Sequence, residues 1–107
     1  MPFLEAVGKS AYHILPILLP TGTDRLKFMD AMKLQGIQTS IHYPPIHTFQ
    51  AYRDGKYASL ELTVTDEIAA REVTLPLYPG MPDDSVLIVA EGVAHSLKQA
   101  RAAQVNP

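Results

Sequence analysis

Residues 36–47 read Gly36-Ile37-Gln38-Thr39-Ser40-Ile41-His42-Tyr43-Pro44-Pro45-Ile46-His47, and this stretch decides what kind of fold the chain can adopt. From Ile37 to Tyr43 the side chains alternate. Ile37, Thr39, Ile41 and Tyr43 fall on one side of a strand, and Gln38, Ser40 and His42 on the other. Pro44-Pro45 ends the strand, because neither residue donates to a ladder and Pro45 holds its predecessor extended. A strand with one apolar and one polar side needs a covering layer on the first and leaves the second to solvent or a partner.

Upstream, Gly36 supplies the left-handed stop of a helix whose start lies at Thr23 or Asp24, either of which can cap free backbone amides. Within it Leu26, Met29 and Met32, flanked by Phe28, form an apolar face, and Lys27, Asp30 and Lys33 stay wet. Pro20-Thr21-Gly22 is a turn, and Tyr12 to Leu19 before it is β-favouring. Pro16 assigns that strand to an edge or a bulge.

Downstream, His47 to Leu62 has no clean period and contains Asp54-Gly55, so it reads as an irregular excursion with a short helical turn near Gln50 to Arg53. Thr65 caps a brief helix in which Asp66 and Glu67 favour the positive end of the dipole and Ile68, Ala69 and Val73 form a buried stripe. Thr74-Leu75-Pro76-Leu77-Tyr78 then reads as a third strand, ended by Pro79-Gly80. Pro82 at the first helical position, with Asp83 and Asp84 behind it, opens a last helix with Val86, Val89, Ala90, Val93, Leu97 and Ala100 on one stripe. Gly92 costs that helix about 1 kcal/mol. The order predicts an α+β two-layer sandwich, a small sheet of about three strands with helices on one face.

The chain has 107 residues, 47% hydrophobic and 19% charged, with nine basic and eleven acidic side chains. That is one domain, 1–107, too small for a second lobe. No basic run offers a footprint for a phosphate backbone, so nucleic acid is not an expected partner. With no cysteine, disulfides and thiolate chemistry are excluded, and a reducing, cytoplasmic compartment is expected. The longest apolar run, Ile14 to Leu19, is interrupted by Pro16 and far short of a bilayer span, and residues 1–10 lack the order of a signal peptide.

A general acid or base is most readily a histidine, and the chain has four: His13, His42, His47 and His95. His42 and His47 bracket Tyr43-Pro44-Pro45-Ile46, which places two imidazoles and a phenol beside a rigid corner at a strand end. The alternative is that they are surface and packing residues. His13 and His95 read as structural. No further ligand lies near the pair, so no metal is expected. A phosphate-cradling glycine loop and a serine elbow are both missing. Lys9, Lys27, Lys33, Lys56 and Lys98 all stand in polar, helical or turn contexts unlike that of a desolvated nucleophile.

Taken together, Ser10-Ala11-Tyr12-His13, the 36–47 stretch, Ala51-Tyr52-Arg53 and Leu75-Pro76-Leu77-Tyr78-Pro79-Gly80 resemble the C-terminal small domain of the DegT/DnrJ/StrS aminotransferases. The resemblance covers about residues 8–99. That family uses pyridoxal phosphate to place or remove an amino group on nucleotide-linked keto-sugars, within the aspartate-aminotransferase fold. Its Schiff-base lysine lies in a Ser-x-His-x-x-Lys-type segment of a large domain that has no counterpart here. The resemblance therefore implies a stand-alone or truncated C-terminal domain with no catalytic residue and no cofactor of its own, inactive by itself. It also implies that His42, Tyr43 and His47, with Ser40, line a sugar-nucleotide site. The partners expected from it are a large domain, a nucleotide sugar, and a second copy of the chain covering the vacated docking face. The competing reading is a structural or regulatory protein-binding module that has kept the domain and lost the sugar site.

Overall fold

The computed structural model describes residues 8–102. Its elements are β1 (Leu15–Leu18), α1 (Arg25–Leu34), a 3-10 turn (Ile46–Thr48), α2 (Gln50–Arg53), α3 (Thr63–Arg71), β2 (Glu72–Leu75) and α4 (Asp83–Ala102). The α+β class holds, built on a two-stranded antiparallel sheet in which Leu15 lies opposite Leu75 and Leu18 opposite Glu72.

The strand expected over Ile37 to Tyr43 is reduced to one bridge, in which Ser40 and Thr74 exchange both backbone hydrogen bonds at 3.1 and 2.8 Å. The next ladder pair would be His42 with Glu72. There the His42 N–H instead donates to the Glu72 carboxylate at 3.0 Å. The side chain takes the bond that would have continued the ladder, and Pro44-Pro45 follows at once. β2 therefore sits between β1 and the Ser40 segment. Leu19 N–H donates to the Arg71 carbonyl at 2.9 Å, so odd-numbered β2 residues pair towards β1 and even-numbered ones towards Ser40. By the same parity Pro16 turns its missing donor away from β2, which is how an edge strand accommodates it.

Side chains follow this alternation. Val73 is buried in a core with Leu19, Phe28, Met32, Ile37 and Ala100, against which Ile17, Leu75, Met29, Val89, Val93 and Leu97 pack. α1 turns Phe28, Ala31 and Met32 inward, while Leu26, expected on that face, is 71% exposed. The inward stripe is set by Phe28 and its neighbours three and four residues on, and Leu26 falls outside that arc. Asp24 caps α1 by accepting from the Lys27 N–H, and Gly36 has φ +74° beyond its end.

α1 and α4 approach closely at Gly92. A Cβ there would stand 2.3 Å from Cδ1 of Ile37, so the glycine expected only to weaken the helix lets the two layers touch. Gln35 fastens the same seam, its Nε2 donating at 2.9 Å both to the Ala31 carbonyl and to Oγ of Ser96. Ser96 is wholly buried, and this bond satisfies a hydroxyl that would otherwise be costly to bury. The exposed turns of α4 include Val86, and Ala90 is exposed as well. The helix begins at Asp83, with Pro82 contributing its carbonyl to Ser85 and Val86 from just outside.

Three further expectations change. α3 begins at Thr63 with no side-chain cap and buries no residue, so Thr65 lies inside it and Ile68 is exposed. The third strand lies earlier than Thr74 to Tyr78: β2 starts directly at the end of α3 and stops before Pro76. Val73 consequently belongs to the strand. The first strand starts at Leu15, beyond Tyr12 at φ 49°. The excursion matches closely, with α2 at Gln50–Arg53 and no buried residue anywhere in 43–68.

Gly92→Val should destabilise the fold by roughly 1–3 kcal/mol through overpacking, and Ile37→Ala in the same chain should return part of that loss. Denaturation midpoints of the single and double variants check it. The backbone hydrogen bond from Lys27 holds the Asp24 carboxyl below its usual value. Its contribution is thus complete above the unfolded pKa and lost as pH falls through the lower, folded one. Asp24→Asn should keep α1 capped and flatten that acid-side loss of far-UV dichroism, whereas Asp24→Ala should weaken α1 near neutrality and approach the native chain as pH falls through the folded pKa.

Candidate functional site

The even-numbered residues of β2 face the Ser40 segment and build a polar cluster there. Glu72 is 5% exposed and Thr74 is 6% exposed, and neither tolerates burial without partners. Thr74 Oγ1 donates to Glu72 Oε1 at 2.5 Å, while Glu72 Oε2 accepts from the His42 N–H. Nδ1 of His42 lies 3.0 Å from Thr74 Oγ1 and 3.4 Å from Ser40 Oγ. Tyr43 stands edge-on to the imidazole, ring centroids 4.9 Å apart, and is itself 68% exposed. The cluster thus presents a half-buried histidine and an exposed phenol, with a buried carboxylate behind them.

His47 turns elsewhere. Its Nε2 lies 2.8 Å from Asp66 Oδ1 on α3, with the His47 side chain 14% exposed. The pair ties the 3-10 turn after Pro44-Pro45 to the first turn of α3 and so closes the exposed arm, residues 43–68, upon itself. The structure brings Ser40, His42 and Tyr43 together, and sets His47 with Asp66.

Glu72, Thr74 and Asp66 were not singled out from sequence. The alternation Glu72-Val73-Thr74-Leu75 carries the signal for the first two, since it repeats across β2 the polar and apolar sides of Ser40-Ile41-His42. In the sequence Asp66 signals only a charge favourable to the helix dipole, a role it also fills in the first turn of α3.

No lysine among the described residues is placed to hold pyridoxal phosphate as a Schiff base. Every lysine is exposed, Lys27 lies 3.5 Å from Asp24 and Lys56 lies over the Tyr57 ring. None has the desolvated setting that an amine nucleophile needs. Among the described residues there is no group of three or more His, Asp or Glu placed to hold a metal ion, and no helix long and apolar enough to cross a membrane. An open groove of about 490 Å³ runs past Met29, Lys33 and Gln38, and no histidine lines it.

Comparison with known proteins gives a consistent result. The family model of the DegT/DnrJ/EryC1/StrS aminotransferases matches residues 2–94. An uncharacterised protein of Methanocaldococcus jannaschii is 32% identical over 104 residues, which is 94% of this chain and 27% of that protein. The spore coat polysaccharide biosynthesis protein SpsC of Bacillus subtilis is 31% identical over 104 residues, 92% of this chain and 27% of its own length. The chain thus spans about a quarter of the curated relatives it matches. In three dimensions it superposes on Helicobacter pylori PseC, an aminotransferase of pseudoaminic acid biosynthesis, with a TM-score of 0.73 at 24% identity. That match covers 80% of this chain and 24% of PseC, and it shows the shared fold.

The His47–Asp66 contact yields a direct test of how the arm is held. Asp66→Ala should loosen the arm at a cost of about 1 kcal/mol or less, as expected for a partly exposed pair. Trypsin cleavage after Arg53 and Lys56 should accelerate, while α1 and α4 stay resistant.

Proposed function

The chain belongs to the DegT/DnrJ/EryC1/StrS aminotransferase family, and from that membership we propose that it forms the C-terminal part of a pyridoxal-phosphate-dependent nucleotide-sugar aminotransferase. The observation that carries this reading is the match across nearly the whole chain to only a quarter of each relative's length. In this proposal the cofactor and its lysine belong to a large domain, and the chain alone does not transaminate. The names of SpsC and PseC, both tied to saccharide biosynthesis, support a sugar as substrate. Ser40, His42 and Tyr43 then supply one wall of the nucleotide-sugar site, and His47 stands at the base of the arm beside it.

Surface supports the need for a partner. Ile46, Phe49, Tyr52, Tyr57, Leu60 and Val64 along the arm are all exposed, more large apolar side chains on one segment than a soluble monomer ordinarily leaves wet. We assign this surface to the large domain and to a second copy of the chain. The cysteine-free composition fits a cytoplasmic setting.

Mixing the chain with a family aminotransferase truncated before its own C-terminal domain tests the proposal. We expect a complex and restored transfer to a nucleotide-linked keto-sugar. His42→Ala should lower that activity by roughly tenfold, the value of one or two lost hydrogen bonds. The chain alone with pyridoxal phosphate should give no borohydride-trapped adduct that depends on one particular lysine. A complex without restored transfer would instead favour the protein-binding module.

A further inference from the structure

The polar cluster fixes more than the position of His42. An ionised carboxylate only accepts hydrogen bonds, and a hydroxyl donates one while accepting others. Glu72 uses Oε2 for the His42 N–H and Oε1 for the Thr74 hydroxyl, so the single Thr74 hydrogen is committed to Glu72. What Thr74 Oγ1 still offers is a lone pair, and the atom 3.0 Å away is Nδ1 of His42. A bond forms there only if Nδ1 carries the proton. In a neutral imidazole the other nitrogen then bears the lone pair. Nε2 of His42 takes no protein partner among the described residues and is not one of the buried unpartnered atoms, so its lone pair reaches solvent.

We propose that Glu72 and Thr74 are positioning residues that hold His42 as its Nδ1–H tautomer, so that Nε2 is presented as a hydrogen-bond acceptor to a hydroxyl or N–H donor of the bound ligand. Ser40, 3.4 Å from Nδ1, is a secondary acceptor on the same edge. The role assigned to Nε2 rests on the sugar-site reading above; the tautomer does not. An acceptor aimed at a donor hydroxyl discriminates against an analogue lacking it, because the unmet partner is left desolvated.

The experiment is a nitrogen-15 spectrum of the full chain labelled at histidine, recorded above the imidazole titration range and repeated for Thr74→Ser and Thr74→Val. The expected result is Nδ1 protonated and Nε2 bare in the native chain and in Thr74→Ser, with the Nε2–H form appearing in Thr74→Val. A native His42 that is mainly Nε2–H overturns the proposal, whether or not the valine variant folds. So does a folded Thr74→Val whose tautomer is unchanged. Titration with a uridine diphosphate sugar, of the labelled chain in its complex with the truncated family aminotransferase, separates the two ideas. If the sugar site is right, the Nε2 resonance moves on binding and Thr74→Val weakens affinity about three- to tenfold. If the tautomer is as expected and no amide or ring nitrogen responds to the sugar, the sugar-site reading fails alone.

Discussion

Four residues, Glu72 to Leu75, carry both halves of the molecule because a strand sends successive side chains to opposite faces. Val73 and Leu75 enter the core beneath α1 and α4, while Glu72 and Thr74 hold the histidine segment. The arrangement admits no slippage. Moving β2 by one residue would drive a carboxylate into the layer occupied by Phe28 and Met32, and would place Val73 where Nδ1 of His42 needs an acceptor. The core and the candidate site are therefore specified by the same register.

That register is reinforced from β2's upstream end. Arg71 donates from Nη1 to the Leu19 carbonyl at 2.8 Å and from Nη2 to Glu67 at 2.8 Å. Arg25, on α1, donates to the Ala69 carbonyl near the end of α3. The Arg25 bond satisfies a carbonyl that the end of α3 leaves free, and the Arg71 bond to Leu19 ties that end to the β1 side of the sheet. They let α3 pass straight into β2 with no intervening loop. The helix buries none of its own residues, so its attachment relies on these bonds and on the His47–Asp66 pair rather than on an apolar face.

This junction also explains what the sequence disclosed and what it hid. The cap at Asp24, the stop at Gly36, the short helix within the excursion and the spacing of Val89, Val93, Leu97 and Ala100 on α4 are local signals, and each appears where its residues place it, whereas Val86 and Ala90 of the same stripe are exposed. The helix-to-strand change at Arg71-Glu72 has no glycine or proline to mark it, and Glu72 reads as naturally in a helix as in a strand. The pattern therefore places the strand too late in the chain and leaves the carboxylate behind His42 unmarked. Gly92 was hidden for another reason: its use depends on Ile37, distant in sequence and brought close only by the packing of α1 on α4. His42, Tyr43 and Ser40 were legible because alternation and a proline pair mark a strand end, whereas the turn of His47 towards Asp66 depends on how the arm folds back.

The Ser40–Thr74 bridge pinches the chain at the base of everything between them, so the whole span 41–73 is a loop whose ends are already held. The entropy of closing such a loop rises only with the logarithm of its length, about 0.6 kcal/mol for a doubling. Descendants of this sequence can thus gain or lose residues in the arm at small thermodynamic cost, while β2, α1 and α4 stay as they are. The pinch separates the part of the chain that must be inherited unchanged from a part free to drift in length, and so lets the surface beside His42 diversify without endangering the fold that supports it.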